Sequence, residues 1–149
     1  MAKLPYAEDV NYWMTGKSSP DIWVERARHQ ITELGGKVTG EGFGQDGEGR
    51  AAFMLQFTRE TETYRVVWPV LQSFRGNERA ARAQAATMLY HPVKALCLAA
   101  TVLGTRAAFF SHLLLPDGRQ ASQLAGDEIA SAIPALFAPP DVHLIGDGR

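Results

Sequence analysis

The chain contains 149 residues, with 46% hydrophobic side chains and a formal net charge of -1 at pH 7. This length and composition predict one domain with a substantial apolar core, and the nearly neutral charge gives no overall sign of a nucleic-acid-binding or membrane protein. The single cysteine excludes an intramolecular disulfide, and the N-terminal residues lack the apolar run of a signal peptide, so we expect a cytoplasmic protein with no membrane partner.

The first part of the chain predicts an arm followed by a helix. Residues 1–17 show no sustained period but contain three aromatic side chains, so we expect an arm that docks on a neighbouring subunit or on its own core. Ser19 is a suitable N-cap and Pro20 suits the first helical position. Gly35 and Gly36 end the apolar stripe that follows, which predicts a helix of about four turns.

From Lys37 the hydrophobic period changes to two, which is typical of strands. Three strands are predicted, over residues 37–43, 51–58 and 64–71, and the last two form a β-hairpin because their connection is short. Pro69 cannot donate a hydrogen bond to a ladder, so the third strand is either an edge strand or ends there. The prediction is a three-stranded antiparallel meander with one face covered by a helix.

The longest regular stretch, residues 77–104, predicts an amphipathic helix that covers this sheet. Asn77 suits the N-cap and Gly104 suits the position after the last turn. Pro92 lacks a backbone donor and clashes with the preceding turn. We therefore expect a kink near residues 88–92, or two helices that meet there.

The C-terminal third completes an α+β fold class. Residues 105–115 are compatible with helix or strand, the Pro-Asp-Gly turn at 116–118 predicts a short hairpin, and a short helix is predicted over 128–137. The expected fold is an N-terminal helix, a three-stranded antiparallel β-meander packed on a long helix, and a short C-terminal hairpin and helix. One domain spans residues 18–137, and residues 138–149 form a tail.

Catalytic and metal-binding patterns are not visible in the sequence. The histidines are scattered, and a single cysteine cannot provide the spacing of a zinc site. The glycine-rich segment GEGFGQDGEG leads into a strand, whereas a phosphate-binding glycine loop opens a helix. We therefore expect no enzyme activity, no cofactor and no metal.

Basic and aromatic residues concentrate around the predicted hairpin and the start of the long helix. Single-stranded nucleic acid is held by a basic groove that contacts phosphates and by aromatic faces on which bases stack. The structural alternative is that the aromatic side chains belong to the core and the basic ones form a solvated face. The nucleic-acid-binding candidates are Arg59, Arg65, Arg75, Arg79, Arg82, Lys94, Tyr64 and Trp68, and Phe74 and Tyr90 lie in the same stretch.

The strand YRVVWPV, the long helix after it and the segment FFSHLLLPDGR at residues 109–119 resemble a group of small phage and prophage proteins. The order of helix, three antiparallel strands and long helix also resembles the core of single-strand annealing recombinases of the Sak, Erf and Red-beta types. This resemblance implies a homo-oligomer, either a ring or a filament, whose subunits join their sheets edge to edge. It also implies that single-stranded DNA lies in a basic groove against the hairpin.

The resemblance implies annealing without bond chemistry, because the protein would hold the phosphates and leave the base edges free to pair. The six basic candidates would contact phosphates. Tyr64 and Trp68 would stack on bases only if their face of the sheet is open. A second hypothesis is a small phage adaptor or structural protein that binds another protein through its arm or a sheet edge.

Overall fold

The structure is a computed structural model that describes residues 4–15 and 19–123. Its regular elements are α1 (Pro20–Leu34), β1 (Lys37–Gln45), β2 (Ala51–Arg59), β3 (Glu62–Pro69), α2 (Glu78–Leu103) and α3 (Thr105–Ala108). Single 3-10 turns occur at Ala7–Asp9, Phe110–His112 and Ala121–Gln123. The predicted α+β fold class is confirmed, whereas the predicted helix at 128–137 and the tail at 138–149 lie outside the described residues.

Helix α1 begins and ends where the sequence predicts. Pro20 occupies the first helical position, where its missing N–H costs no helical hydrogen bond, and Ser19 precedes it with extended backbone but without a side-chain cap. Gly35 ends the helix in the left-handed conformation, with φ of +101°. A Cβ at Gly36 would lie 2.8 Å from Cγ2 of Ile31, so this second glycine is required by close packing.

The sheet is the predicted antiparallel meander in the order β1-β2-β3. In the hairpin, Arg59 pairs with Glu62, and the tight turn between them places Glu60 at a left-handed φ of +59°. Pro69 is the last residue of β3, and β3 is an edge strand of this sheet. Both predicted explanations for Pro69 therefore hold.

Both helices pack on the same face of the sheet and enclose the core. Alternate residues of β2 and β3 point towards α1 and α2, as in the cross-strand pairs Phe57–Tyr64 and Leu55–Val66. Phe57 is fully buried, and its ring lies 5.2 Å from that of Tyr64 and 5.1 Å from that of Phe109. The result is a two-layer domain in which neither α1 nor α2 lies on the opposite face of the sheet.

Helix α2 is one continuous element of 26 residues. Asn77 caps it as predicted, because its side-chain oxygen accepts a hydrogen bond of 3.1 Å from the N–H of Ala80. Pro92 lies inside the helix and does not divide it, so the predicted alternative of two separate helices is wrong. Leu89 and Val93 are fully buried on either side of Pro92, and their packing holds both halves against the core.

The described part of the arm, residues 4–15, docks on its own core. Ala7 is fully buried in a small cluster with side chains from the loop before α2 and from α2 itself. Gln84 of α2 donates from Nε2 to the carbonyl oxygens of Ala7, Val10 and Asn11, at 2.8, 3.1 and 3.0 Å. Of the two predicted alternatives for the arm, the structure shows docking on the same chain.

The arm also orders the loop that leads into α2. The carboxylate of Glu8 accepts hydrogen bonds from the hydroxyl of Ser73 and from the N–H groups of Phe74 and Arg75. Desolvation raises the pKa of Glu8, but these hydrogen bonds outweigh it and hold the pKa below its usual value. The Ser73 hydroxyl in turn accepts from the N–H of Asn77, so the start of α2 is fixed by a connected network.

Residues after α2 turn back and cover part of the outer edge of β3. The ambiguous stretch 105–115 contains a short helix and a 3-10 turn, and Leu113 then bridges to Tyr64. The N–H of Leu114 donates to the carbonyl of Thr63 at 2.9 Å. The predicted Pro-Asp-Gly turn closes a short hairpin through a bridge between Leu114 and Gln120. Among the described residues, only the outer edge of β1 therefore remains unpaired along its whole length.

The burial of His112 predicts that the stability of the fold depends on pH. Desolvation lowers the pKa of His112, and a hydrogen bond to the backbone of Arg65 opposes this effect only in part. The unfolded chain takes up this proton near pH 6.5 and the folded chain only at lower pH, so protonation favours unfolding. We expect the free energy of unfolding to fall as the pH drops below about 6.5, and His112→Gln to reduce this dependence.

Urea denaturation at a series of pH values between about 7.5 and 5.5 measures this effect. His29→Gln is the matched control, because the side chain of His29 is 67% exposed. An unchanged pH dependence in His112→Gln would contradict the prediction.

Candidate nucleic-acid interface

Three of the predicted basic residues lie together at the N-terminal end of α2. Arg79 and Arg82 are exposed in the first two turns, and Arg75 precedes the helix by three residues. Helix positions three apart are surface neighbours, and the positive end of the helix dipole adds to their charge. Among the described residues, no ion pair involves any of these three arginines. Their charge is therefore open to an anionic ligand.

Two exposed aromatic rings stand beside these arginines. Phe74 is 56% exposed and the guanidinium carbon of Arg75 lies 5.5 Å from its ring centre. Phe43 is 44% exposed and the guanidinium carbon of Arg82 lies 4.7 Å from its ring centre. Tyr6 of the arm meets Phe74 edge to face at 5.8 Å. We call Phe43, Phe74, Arg75, Arg79 and Arg82 the arginine–aromatic cluster.

The sheet and the arm position the two rings. Phe43 pairs with Phe53 across β1 and β2, with ring centres 4.9 Å apart, and this contact fixes the free end of β1 beside α2. Phe74 lies in the loop that Glu8 and Ser73 hold by hydrogen bonds. The cluster therefore lies on ordered backbone at the end of the sheet opposite the β2–β3 turn.

Arg59 is not part of this cluster. Its Nε donates to the carbonyl of Leu34 at 3.2 Å, and its Nη1 donates to the hydroxyl of Thr105 at 2.8 Å. It also forms an ion pair of 3.5 Å with Glu60. Arg59 ties the end of α1, the hairpin turn and the start of α3 together, so its contacts are structural.

Arg65 and Lys94 lie at two further places. Arg65 is on the face of the sheet opposite the helices, where its Nε donates to Oε1 of Gln56 at 2.9 Å. Lys94 is exposed in a groove between α1 and α2, and twelve residues separate it from Arg82, which corresponds to about 18 Å of helix. The six basic candidates therefore do not form the single groove that the resemblance implies.

Tyr64 and Trp68 were stacking candidates only on the condition that their face of the sheet is open, and the structure does not meet this condition. Tyr64 is 1% exposed, and its hydroxyl donates to Oε1 of Glu62 at 3.0 Å. Burial and this neighbouring carboxylate raise the pKa of the phenol. Trp68 is half-buried and packs against the main core. Their face of the sheet is the one that the helices cover.

Sequence reasoning missed Phe43 and Tyr6. Phe43 stands between Gly42 and Gly44 in a strand with few other apolar residues, and an isolated aromatic residue in such a strand was the available signal. Tyr6 was visible only as an aromatic residue in an irregular arm. Neither position shows its relation to α2 until the chain is folded.

Other reactive groups give no second candidate site among residues 4–15 and 19–123. No three histidine, cysteine, aspartate or glutamate side chains gather there in a way that could hold a metal ion. Cys97 is buried, and desolvation raises its pKa to about 11, so it remains a protonated thiol near neutral pH.

Comparisons with known proteins add no assignment. No protein-family model, curated protein or solved structure matches the chain. The chemistry of the arginine–aromatic cluster and the order of the elements are therefore what points to a function.

Proposed function

We propose that this protein binds single-stranded DNA and promotes the annealing of complementary strands, as an oligomer and without bond chemistry. The observation that carries the proposal is the arginine–aromatic cluster. Its three arginines have no ion pair among the described residues, and its two rings are exposed. Guanidinium groups bind phosphates, and phenylalanine rings stack on bases of any sequence.

The cluster suits a strand that must remain able to pair. Arg79 and Arg82 would contact phosphates, and Phe43 or Phe74 would stack on a base from one face. A stacked base keeps its hydrogen-bonding edge free, so a second strand can pair with it. Each contact is independent of sequence, as annealing of arbitrary strands requires.

The proposal moves the DNA site away from the place that the resemblance implies. The hairpin turn carries Arg59, which is occupied by structural contacts, whereas the cluster lies at the other end of the sheet, where Phe43 of β1 contacts Arg82 near the start of α2. The order of helix, meander and long helix still supports the annealing proposal by analogy of fold.

Titration of a fluorescently labelled oligothymidine at several salt concentrations tests the proposal. Arg79→Glu with Arg82→Glu should weaken binding and reduce the slope of log affinity against log salt by about 1.4, because each phosphate contact on a single strand contributes about 0.7. Arg26→Glu with Lys37→Glu is the control, since both side chains are exposed outside the cluster and the net charge changes equally. Unchanged binding in the cluster variant, or an equal loss in the control, would exclude this site.

A protein-binding adaptor is the second candidate, and the glycines of β1 favour it. Gly42 and Gly44 have ordinary φ values, and a Cβ at either position would contact nothing within 4 Å. Glycine in a strand often marks the close approach of another backbone, and the outer edge of β1 is unpaired in the described part of the chain. The same titration separates the two candidates, because an adaptor would show no binding to DNA even at low salt.

A further inference from the structure

The C-terminal half of α2 exposes an apolar surface to solvent. Leu98 is 70% exposed and Val102 is 76% exposed, and Ala95 is exposed on the same side of the helix. We call Ala95, Leu98 and Val102 the α2 stripe. Large aliphatic side chains four residues apart on an ordered helix are typical of an interface rather than of a solvated face.

In the N-terminal half of α2, the arm covers the side of the helix on which the α2 stripe lies further along. Gln84 and His91 precede Leu98 by multiples of seven residues and therefore lie on almost the same side of the helix. Gln84 binds the carbonyls of the arm, and the ring of His91 stacks on that of Tyr12 at 4.9 Å. The described part of the arm covers α2 as far as His91, and the α2 stripe begins one turn later at Ala95.

We propose that the α2 stripe is the contact between two copies of this chain, whose α2 helices pack antiparallel across a two-fold axis near Leu98. Such an interface is self-complementary, because each copy presents the same surface. Ala95 and Ala99 lie beside Leu98 and are small, which lets the two helices approach closely.

The charges on α2 favour a second copy in this orientation. The last turn of α2 contains no basic residue, so the negative end of its dipole has no cation from that turn. Lys94 is exposed and takes part in no ion pair among the described residues. It precedes Leu98 by four residues, about 6 Å of helix, and Val102 follows at the same distance. An antiparallel partner therefore places Lys94 of each copy beside the C-terminal turn of the other.

A membrane is the alternative occupant that the test must separate. Helix α2 is long enough to cross a bilayer, and its most apolar window has a mean hydropathy of 1.3. One third of that window is buried inside this protein, and the helix also carries Arg79, Arg82 and Lys94. A spanning helix would have to leave the sheet that it covers, so we favour the second copy.

Light scattering after size-exclusion chromatography, followed by sedimentation at several concentrations, tests the proposal on the full chain. The wild-type chain should form a dimer, and Leu98→Lys with Val102→Lys should raise the dissociation constant by at least about a hundredfold. Lys94→Glu should weaken the dimer as well, because it places a negative charge beside the carbonyl end of the partner helix. Circular dichroism checks that each variant remains folded.

The matched control is Met14→Lys with Ile22→Lys, two aliphatic side chains exposed outside the stripe at 67% and 41%. A wild-type chain that stays monomeric at about 100 µM, or a control that dissociates as readily as the stripe variant, would overturn the proposal. Flotation with phosphatidylcholine and phosphatidylglycerol vesicles is the third measurement. Wild-type binding to vesicles that the stripe variant loses, with no dimer in solution, would overturn it in favour of a membrane surface.

This inference shares with the proposed function the expectation of an oligomer, but its residues are separate from the arginine–aromatic cluster, so loss of the dimer and loss of DNA binding are distinguishable. Sixteen residues separate Arg82 from Leu98, about 24 Å of helix, so the DNA variants and the stripe variants alter different ends of α2. A two-fold contact joins two copies and leaves no free half of the interface, so it produces a dimer and nothing larger. A ring or filament would therefore need a further contact, for which the unpaired edge of β1 is available among the described residues.

Discussion

Replacing Phe57 with alanine is expected to lower the free energy of unfolding by about 3–5 kcal/mol, the largest effect of any single substitution considered for this protein. Phe57 is fully buried near the C-terminal end of β2, between the rings of Tyr64 and Phe109. It also lies against Gly36, where a Cβ would be only 3.1 Å from its ring. Alanine would leave a cavity beneath both helices, and close packing on every side limits how far the core can collapse into it.

Urea denaturation followed by circular dichroism measures this loss. Phe74→Ala is the control, because Phe74 is 56% exposed and its removal should change the free energy of unfolding by only about 0.5 kcal/mol. The same control variant should weaken DNA binding, since it removes a ring of the arginine–aromatic cluster. A loss below about 1 kcal/mol for Phe57→Ala would contradict the position of this residue in the core.

Gln84→Leu is expected to cause the second largest loss in the free energy of unfolding, because Gln84 holds the arm against α2 by hydrogen bonds. Its Nε2 donates to three backbone carbonyls of the arm, and the side chain is 1% exposed. Leucine has a similar size but no donor, so the part-buried carbonyls of Val10 and Asn11 would lose the amide, while the carbonyl of Ala7 would keep only the N–H of Val10. We expect the free energy of unfolding to fall by about 1–3 kcal/mol, or the arm to detach from α2 because detachment costs about the same.

Hydrogen exchange of residues 4–15 separates the two outcomes, since a detached arm loses its protection while α2 keeps its own. Oε1 of Gln84 has no partner in the described structure, so the loss comes from the donor side of the amide alone. Gln45→Leu at the exposed end of β1 is the control and should leave the arm unchanged. Because Tyr6 supports Phe74, a detached arm should also weaken DNA binding.

The ends of the two long helices follow from local sequence. Pro20, Gly35 and Asn77 act through their own backbone preferences or through a hydrogen bond within one turn, so their effect does not depend on the rest of the fold. The strand boundaries were less predictable. β1 continues to Gln45 and β3 begins at Glu62, because pairing with β2 extends both strands beyond the reach of their hydrophobic pattern.

The continuity of α2 through Pro92 also depends on tertiary contacts. Taken alone, a proline in this position predicts a break, since it removes a hydrogen bond and clashes with the preceding turn. Buried residues in the adjacent turns, Leu89 and Val93, keep both halves on the sheet. Packing over two turns thus outweighs a local penalty of about 3 kcal/mol.

The sequence by itself determined the α+β class, the order of the elements and the closeness of Arg75, Arg79 and Arg82, which are neighbours along the chain. Only the tertiary structure decided which sheet face is open, because a period of two shows which residues share a face and not which face meets a helix. Tyr64 is a stacking candidate in the sequence, but it is buried because its face of the sheet is the one that meets the helices. The tertiary structure also brought Phe43 to Arg82 across 39 positions of sequence, since strand pairing joins residues that no local pattern connects.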